Sequence, residues 1–291
     1  MDPSGTTSFH ALDKIKNRIS RISETFQASR QLGMENASWE QFMSFVENQD
    51  KLFHSTVHEG ASMGYAMYDK HNYGELNVWK KYMKQFGLKY GGFIRTGLGW
   101  TLAKWNEIDY SFLKDHDPLS HWRFFDGWAY HDAIFKKSLI VAQMKRVSNL
   151  PSKYFSAYDQ GIGRNLWYLS KGEINPLLEL TSKFDVDRQE HLWRGIGIAI
   201  IYVGAYDQKY FTEVYKASES FKIQFKTGCA MAFNSLKYSE SSNQDLESTS
   251  KLLFNKSVSE VIKMIEISES NIESDDPYNQ WLKKMNEQFS A

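Results

Sequence analysis

The chain has 291 residues, of which 42% are hydrophobic and 15% aromatic, and its 35 basic residues are balanced by 35 acidic ones. Because no block of basic residues stands out, the sequence argues against general nucleic-acid binding, which needs a positive surface facing the phosphates. The single cysteine, Cys229, excludes a disulfide within the chain and fits a reducing compartment, so we expect a cytoplasmic protein.

The first 35 residues are predicted to form a polar leader with one amphipathic helix, ALDKIKNRISRISETF, that caps the repeats following it. This leader lacks the apolar segment of a secretory signal. The longest apolar run of the chain, GIGIAIIYVGA, has about half the length that a bilayer requires. The sequence therefore predicts neither a secretory signal nor a membrane span.

Residues 36–240 contain six phrases that share an early glycine. We call these residues the lead glycines: Gly60, Gly97, Gly127, Gly161, Gly195 and Gly228. The steps between them are 37, 30, 34, 34 and 33 residues, close to the roughly 34-residue period of tetratricopeptide-type helical hairpins. In each unit an amphipathic segment precedes a more apolar one that carries the glycine, and the apolar spacing of both segments indicates helices.

The pattern predicts an all-α protein of about six tandem αα-hairpin repeats, arranged as a superhelix or a closed α/α array. Residues 241–291 are predicted to be a C-terminal helical extension of the same domain. A glycine inside a helix costs about 1 kcal/mol relative to alanine, so its recurrence indicates close packing between neighbouring second helices. These second helices are expected to form the inner layer.

A charged residue falls one or two positions before each lead glycine. The six are Glu59, Arg95, Asp126, Asp159, Arg194 and Lys226. One interpretation is a ladder of ion pairs between adjacent repeats, such as Glu59 with Arg95 or Asp159 with Arg194. The other is a shared polar site at the end of an aromatic cavity.

As a site, these residues would combine three kinds of group. The carboxylates of Glu59, Asp126 and Asp159 would suit a hard cation such as Mg²⁺. Basic and aromatic residues would bind the substrate, and the candidates are Arg95, Arg164, Arg194, Lys226, Trp128, Trp167 and Tyr168. Carboxylates for Mg²⁺, arginines for a diphosphate head and aromatic faces for a developing carbocation together suit isoprenoid chemistry, including that of a prenyl diphosphate, and the same wall would suit a polyene.

Histidines and acidic pairs give further candidates. His131 lies one turn after Asp126 and could form an acid–base pair with it, which adds His131 to the catalytic candidates Glu59, Asp126 and Asp159. His54 and His58 are four residues apart, a spacing that can bind a metal, although no third ligand is fixed by spacing. The two Asp-x-Asp pairs, at 115–117 and 185–187, are interpreted as helix caps rather than as metal motifs.

The phrases HEGASMGYAMYD, DGWAYHDAIF, YDQGIGRNLWYL and LWRGIGIAIIYVGA resemble a bacterial family of unknown function whose members are labelled enediyne biosynthesis proteins. The likeness extends from about residue 45 to residue 240. It carries over these residues: Glu59, Asp126, Gly127, His131, Asp159, Gly161, Gly163, Arg164, Trp167, Arg194 and Gly195. It implies a role in specialised-metabolite biosynthesis, near enzymes that make conjugated polyenes. It assigns no catalytic role to any of these residues. His58 departs from the aromatic or small residue expected there.

The sequence thus favours a biosynthetic enzyme, a terpene-cyclase-like lyase or isomerase, that cyclises or rearranges a hydrophobic polyunsaturated small molecule. The alternative is a non-catalytic helical-repeat protein that binds a peptide or carries a biosynthetic intermediate. An enclosed aromatic cavity favours the enzyme, whereas an open groove with exposed aromatic residues favours the binding protein.

Overall fold

The computed structural model describes residues 5–105, 110–147, 150–204, 206–237 and 244–290, and no β-strand occurs among them. The helices are α1 (Gly5–Met34), α2 (Trp39–Glu47), α3 (His54–Asn72), α4 (Asn77–Trp105), α5 (Trp122–Phe135), α6 (Phe155–Leu169), α7 (Ile174–Thr181), α8 (Val186–Val203), α9 (Gln208–Ala217), α10 (Lys222–Leu236), α11 (Gln244–Phe254), α12 (Val258–Glu269) and α13 (Pro277–Ser290). The all-α prediction is confirmed. Within these ranges, no helix has the length and apolar character needed to cross a membrane.

The six glycine-bearing segments form an inner layer, in which each helix packs along the next in chain order. Its members are α3, the second half of α4, α5, α6, α8 and α10. Helix α1 extends this layer at the start of the chain, because it packs along α3 as closely as the inner helices pack along one another. The second half of the leader helix is therefore part of the packed layer.

Each lead glycine lies against the backbone of the preceding inner helix. A methyl group added to it would overlap a carbonyl oxygen there, which for Gly60 is that of Phe26 in α1 and for the other five belongs to the residue directly before the preceding lead glycine. The pairs are Gly97 with Glu59, Gly127 with Thr96, Gly161 with Asp126, Gly195 with Gln160, and Gly228 with Arg194. Any side chain at these positions would force the backbones apart, which explains why glycine recurs despite its low helix propensity.

The outer layer is less regular than the repeats suggest. Helices α2, α7 and α9 occupy the first-segment positions of their units, as expected. In the second unit the two predicted helices are one continuous helix, α4, which runs through Gly87, Gly91 and Gly92 without a turn. In the third unit the first helix is replaced by 3₁₀ turns at Tyr110–Asp115 and Pro118–His121, and Asp117 caps the second turn by accepting a hydrogen bond from the Leu119 N–H.

The two terminal helices complete the domain. Towards its N-terminus, α1 reaches the loop after α6, where Lys16 forms an ion pair of 2.8 Å with Glu173. Helix α13 packs on the N-terminal halves of the inner helices. Its Tyr278 stacks on Trp122 with ring centroids 5.6 Å apart and donates a hydrogen bond of 2.6 Å to the side-chain oxygen of Gln160. The first half of α1 and helix α13 therefore cover the inner layer.

Candidate functional site

A cavity of about 320 Å³ lies between α1 and the C-terminal halves of the inner helices. This volume is at the lower end of the roughly 300–1,000 Å³ that is typical of small-molecule sites. Seven aromatic side chains line it: Phe135 at the rim, and Phe26, Phe93, Trp100, Tyr130, Tyr168 and Tyr202 in the wall. The cavity is thus formed by five inner-layer segments together with the helix of the leader.

The rings of the aromatic wall are in contact within two groups, and the Arg164 guanidinium lies over one ring of each, Tyr130 and Tyr202. Trp100 lies 4.7 Å from Phe26 and 5.0 Å from Tyr130, measured between ring centroids, and Tyr130 meets Tyr168 edge to face at 5.5 Å. Phe93 of α4 approaches Tyr202 of α8 at 5.4 Å, which brings together inner helices that are not neighbours in the chain. The curvature of the inner layer therefore closes the wall around one space.

The mouth of the cavity lies between α1 and the end of α5. Ser23 and Gln27 of α1 line it and are exposed to solvent. Across from them are Ile134 and Phe135, with 39% and 64% of their surfaces exposed. The apolar residues at this rim give a hydrophobic molecule a path into the cavity.

The polar end of the cavity is formed by Glu59 and Arg164, two buried side chains that both line it. The Trp100 indole N–H donates a hydrogen bond of 3.1 Å to Glu59 Oε1, and Arg164 Nη2 lies 3.9 Å from the same oxygen. Behind them Arg164 Nη1 donates to Asp126 Oδ1, and Gln160 Nε2 donates to Asp126 Oδ2 at 2.8 Å. One guanidinium therefore serves two carboxylates.

The pKa of Glu59 is raised from its ordinary value, chiefly because burial disfavours the charged form. Arg164 opposes this rise, and the nearby Asp126 carboxylate adds to it. Burial lowers the pKa of Arg164, but the two carboxylates outweigh that effect and hold its pKa above the ordinary value. The arginine stays charged, and Glu59 is the group that tends to keep its proton.

Arg194, a predicted substrate-binding residue, is sealed within the protein with 1% of its surface exposed. Its Nε–H donates a hydrogen bond of 2.9 Å to Gln160 Oε1, and its Nη2 lies 2.9 Å from His191 Nδ1. It continues a chain of polar side chains that runs from Asp126 through Gln160. Its role is to join α8 to α6, and it does not line the cavity.

Asp159, predicted to be a catalytic residue and metal ligand, lies in a different cluster from Asp126. Arg188 donates two hydrogen bonds to it, of 3.0 and 2.7 Å, and Arg146 donates two more. Its four acceptor directions are therefore occupied, and the ion pair expected with Arg194 is replaced by these two arginines. The separation has a simple cause, because Asp159 is two residues before its lead glycine whereas Asp126 is one before.

The proposed Mg²⁺ ligands consequently do not form one set, since the structure places Asp159 apart from Glu59 and Asp126. Those two carboxylates are instead bound to Arg164. Across the described parts of the chain, no three His, Cys, Asp or Glu side chains are grouped as metal ligands would be. We therefore do not treat Glu59 or Asp126 as a metal ligand.

The histidine candidates also lie elsewhere. His131 Nδ1 is 3.4 Å from Oδ1 of its neighbour Asp132, and the expected pairing with Asp126 does not occur. His58 Nδ1 is 2.6 Å from the Tyr82 hydroxyl, inside an aromatic cluster, and burial lowers its pKa to about 3. His54 Nε2 instead lies 3.3 Å from the backbone oxygen of Gln49, so His54 and His58 do not form a metal site.

The remaining predicted residues divide clearly. Tyr168 lines the cavity as expected. Trp128 and Trp167 are core residues with 2% and 0% of their surfaces exposed, and Trp128 donates its N–H to Asp132. Lys226 donates to the backbone oxygen of Phe289. Arg95 lies near Arg123 and His116, where burial and then the Arg123 charge lower its pKa to about 10.

Four cavity residues that were not predicted, Trp100, Tyr130, Ile134 and Tyr202, nevertheless have a signal in the repeat. Positions three and seven after a lead glycine lie on the same helix face as the position one before it. Among the six units these positions supply the following cavity residues: Glu59, Trp100, Tyr130, Ile134, Arg164, Tyr168 and Tyr202. Comparing the whole helix face at these three positions across the six repeats, rather than only the charged residue nearest each lead glycine, would have identified these cavity residues.

The chain matches none of the curated proteins and none of the solved structures with which it was compared. A family match does exist and covers nearly all of it, from residue 6 to residue 289. The matched family is described as "Protein of unknown function (DUF1702)", and the chain belongs to that family.

Proposed function

We propose that the protein is a specialised-metabolite biosynthetic enzyme that cyclises or rearranges a hydrophobic polyunsaturated molecule, an isoprenoid or another polyene. The observation that carries this proposal is an aromatic-walled cavity with one buried carboxyl, Glu59, at its polar end. The setting in specialised metabolism rests on the resemblance of the repeat phrases to the proteins labelled enediyne biosynthesis proteins.

Glu59 can start such a reaction as an acid. Its protonated carboxyl would donate the proton to one carbon of a double bond, whose π electrons form the new C–H bond and leave a carbocation on the next carbon. A second double bond of the same molecule can attack that cation and close a ring. Loss of a proton from an adjacent carbon to the Glu59 carboxylate then restores the acid, so the overall change is an isomerisation that consumes no other reactant.

The aromatic wall would stabilise the cation. Faces of Trp, Tyr and Phe attract a positive charge within about 6 Å, and the attraction is larger where water is excluded. Burial raises the pKa of Tyr130 and of Tyr168 above the ordinary tyrosine value, so both phenols remain neutral and present their rings rather than a nucleophilic phenolate. Asp126 and Arg164 would hold Glu59 in position.

The proposal can be tested by expressing the full chain in a host that accumulates isoprenoids and comparing the extracted hydrocarbons by mass spectrometry. We expect a new isomer with the native chain that is absent with Glu59→Gln, which preserves the size of the side chain and an acceptor for the Trp100 N–H. Ser23→Trp should also abolish the product by blocking the mouth. Its matched control is Glu24→Trp, at the next residue, which is exposed and does not line the cavity.

The possible outcomes separate the two classes of function. A new product that survives Glu59→Gln would contradict the acid mechanism. If a hydrophobic molecule is instead recovered unchanged from the purified native chain and is lost in Ser23→Trp, the protein is a carrier and the enzymatic proposal is wrong. If neither a new product nor a bound molecule is found, the enzymatic function and the carrier function are both contradicted.

A further inference from the structure

The polar end of the cavity has no positive charge available for an anionic ligand. Arg164 faces two carboxylates, Asp126 and Glu59, so the group carries one negative charge when both are ionised and none when Glu59 is protonated. Arg123 acts on Glu59 from farther away, and its guanidinium donates a hydrogen bond of 2.7 Å to Ser235. With Glu59 ionised, a phosphate or carboxylate head group would meet net repulsion there, and with Glu59 protonated it would find no net positive charge to bind it.

The other basic residues that the sequence offered for an anion do not reach this cavity. Arg194 is sealed behind Gln160, and Lys226 is bound to the C-terminal helix at Phe289. The anionic head group expected from the sequence therefore lacks the cluster of cations that it requires. An uncharged head group would meet no such obstacle.

Asn165 supplies the second observation. It lines the cavity beside Arg164 with 2% of its surface exposed, and its amide oxygen is buried without a hydrogen-bond partner among the described residues. The Nε–H of Arg164 likewise has no partner within the described part of the chain. Buried polar groups are normally hydrogen-bonded, so an acceptor and a donor left unpaired on adjacent residues of a cavity wall indicate a ligand group that can do both. A hydroxyl both donates and accepts.

We propose that the cavity binds an uncharged polyunsaturated alcohol, whose hydroxyl is held by Asn165 and Arg164 and whose hydrocarbon chain packs on the aromatic wall. This inference rests on the proposed function for the location of the site and names its substrate class. It does not depend on any conversion of the ligand. Asn165 is the residue that selects the hydroxyl. Anions are disfavoured because the charge of Arg164 is already balanced by the carboxylates of Asp126 and Glu59.

Three probes with the same fifteen-carbon chain test this on the full-length protein: farnesol, farnesene, which lacks the hydroxyl, and farnesyl phosphate. Binding is measured by calorimetry at neutral pH. We expect farnesol to bind about tenfold more tightly than farnesene, as one added buried hydrogen bond allows, and farnesyl phosphate to bind more weakly than farnesol. The proposal is overturned if farnesyl phosphate binds as tightly as farnesol, if farnesene does, or if none of the three binds.

Variants locate the selection within the cavity. Asn165→Leu, of similar volume, should lower farnesol affinity about tenfold while leaving farnesene affinity unchanged; an equal loss for both probes would show that Asn165 does not select the hydroxyl. Ser23→Trp should weaken all binding, with Glu24→Trp as the control. The native ranking of the three probes requires no variant, so the test stands even if Asn165→Leu does not fold. If the three probes bind in the expected order but no new isomer is formed in the expression test, the proposed reaction is contradicted and the proposed ligand class is not.

Discussion

Two buried aspartates, Asp126 on α5 and Asp159 on α6, occupy nearly equivalent places in successive repeats and have opposite surroundings. Both have 0% of their surface exposed. Asp159 is bound by two arginines, Arg146 and Arg188, whereas Asp126 shares Arg164 with a second carboxylate, Glu59. The first cluster has an excess of positive charge and the second has none.

The difference shows which of two similar charge clusters can take part in function. A carboxylate with four donors has no free acceptor direction and ties three segments of the chain together, so Asp159 acts as a structural residue. In the other cluster burial raises the pKa of Glu59 beside a cavity, and Arg164, which Glu59 shares with Asp126, does not offset that rise. Perturbed carboxyls in cavities are characteristic of functional sites, and this cluster has both features.

The largest expected effect tests the structural cluster. Asp159→Asn removes the charge that compensates Arg146 and Arg188, and breaking a buried ion pair typically costs roughly 3–5 kcal/mol. We expect a loss of unfolding free energy in that range, measured by urea denaturation, and no direct effect on cavity binding in the folded fraction. A loss below about 1 kcal/mol would show that Asp159 is not the structural member of the comparison.

The next effect tests the packing that separates the clusters. Gly195 lies against the Gln160 carbonyl, where α8 meets α6, so Gly195→Leu should force the helices apart and cost about 3 kcal/mol by overpacking. The matched control is Gly87→Leu, since a side chain there would meet only the flexible end of Met83. Similar urea midpoints for the two variants would contradict the close-packing role of the lead glycines.

A smaller effect is expected at the other aspartate. Asp126→Asn leaves Arg164 without its closest carboxylate, but Glu59 lies 3.9 Å from the same guanidinium and can ionise in its place. The expected loss of unfolding free energy is therefore about 1–2 kcal/mol, less than for the same substitution at Asp159. If the two Asp→Asn variants lose equal stability, Glu59 does not compensate and the contrast between the clusters fails.

The smallest effect is a pH dependence. Because the folded-state pKa of Glu59 is raised above its ordinary 4.5, the folded protein holds a proton that the unfolded chain has released. This contribution to stability is complete below pH 4.5 and is lost as pH rises through the folded pKa, with a slope of at most about 1.4 kcal/mol per pH unit. Glu59→Gln should remove that slope, whereas Glu47→Gln, at an exposed position of α2, should keep it. Identical pH profiles for native protein and Glu59→Gln would refute the raised pKa.

The sequence by itself determined the repeat and much of the layer arrangement. Glycines recurring every 30 to 37 residues inside apolar helical patterns predicted an inner layer of closely packed helices, and the structure confirms the all-α fold. This worked because close helix packing has a local signature, the absence of a side chain at one position of each unit. The continuous helix α4 and the 3₁₀ turns before α5 departed from the repeat pattern. The outer segment of a repeat can change its conformation because the inner helices keep their packing without it.

Only the tertiary structure decided which charges meet. One position along a helix rotates a side chain by about 100°, so residues one before the lead glycine, such as Glu59 and Asp126, face the interior. Residues two before it, such as Asp159 and Lys226, face other neighbours. The sequence placed both kinds next to a glycine and could not distinguish their partners, because Arg146, Arg188 and Phe289 reach them from other segments. Contacts between distant parts of the chain depend on how far the inner layer curves, and that curvature is set by the packing of all its helices together.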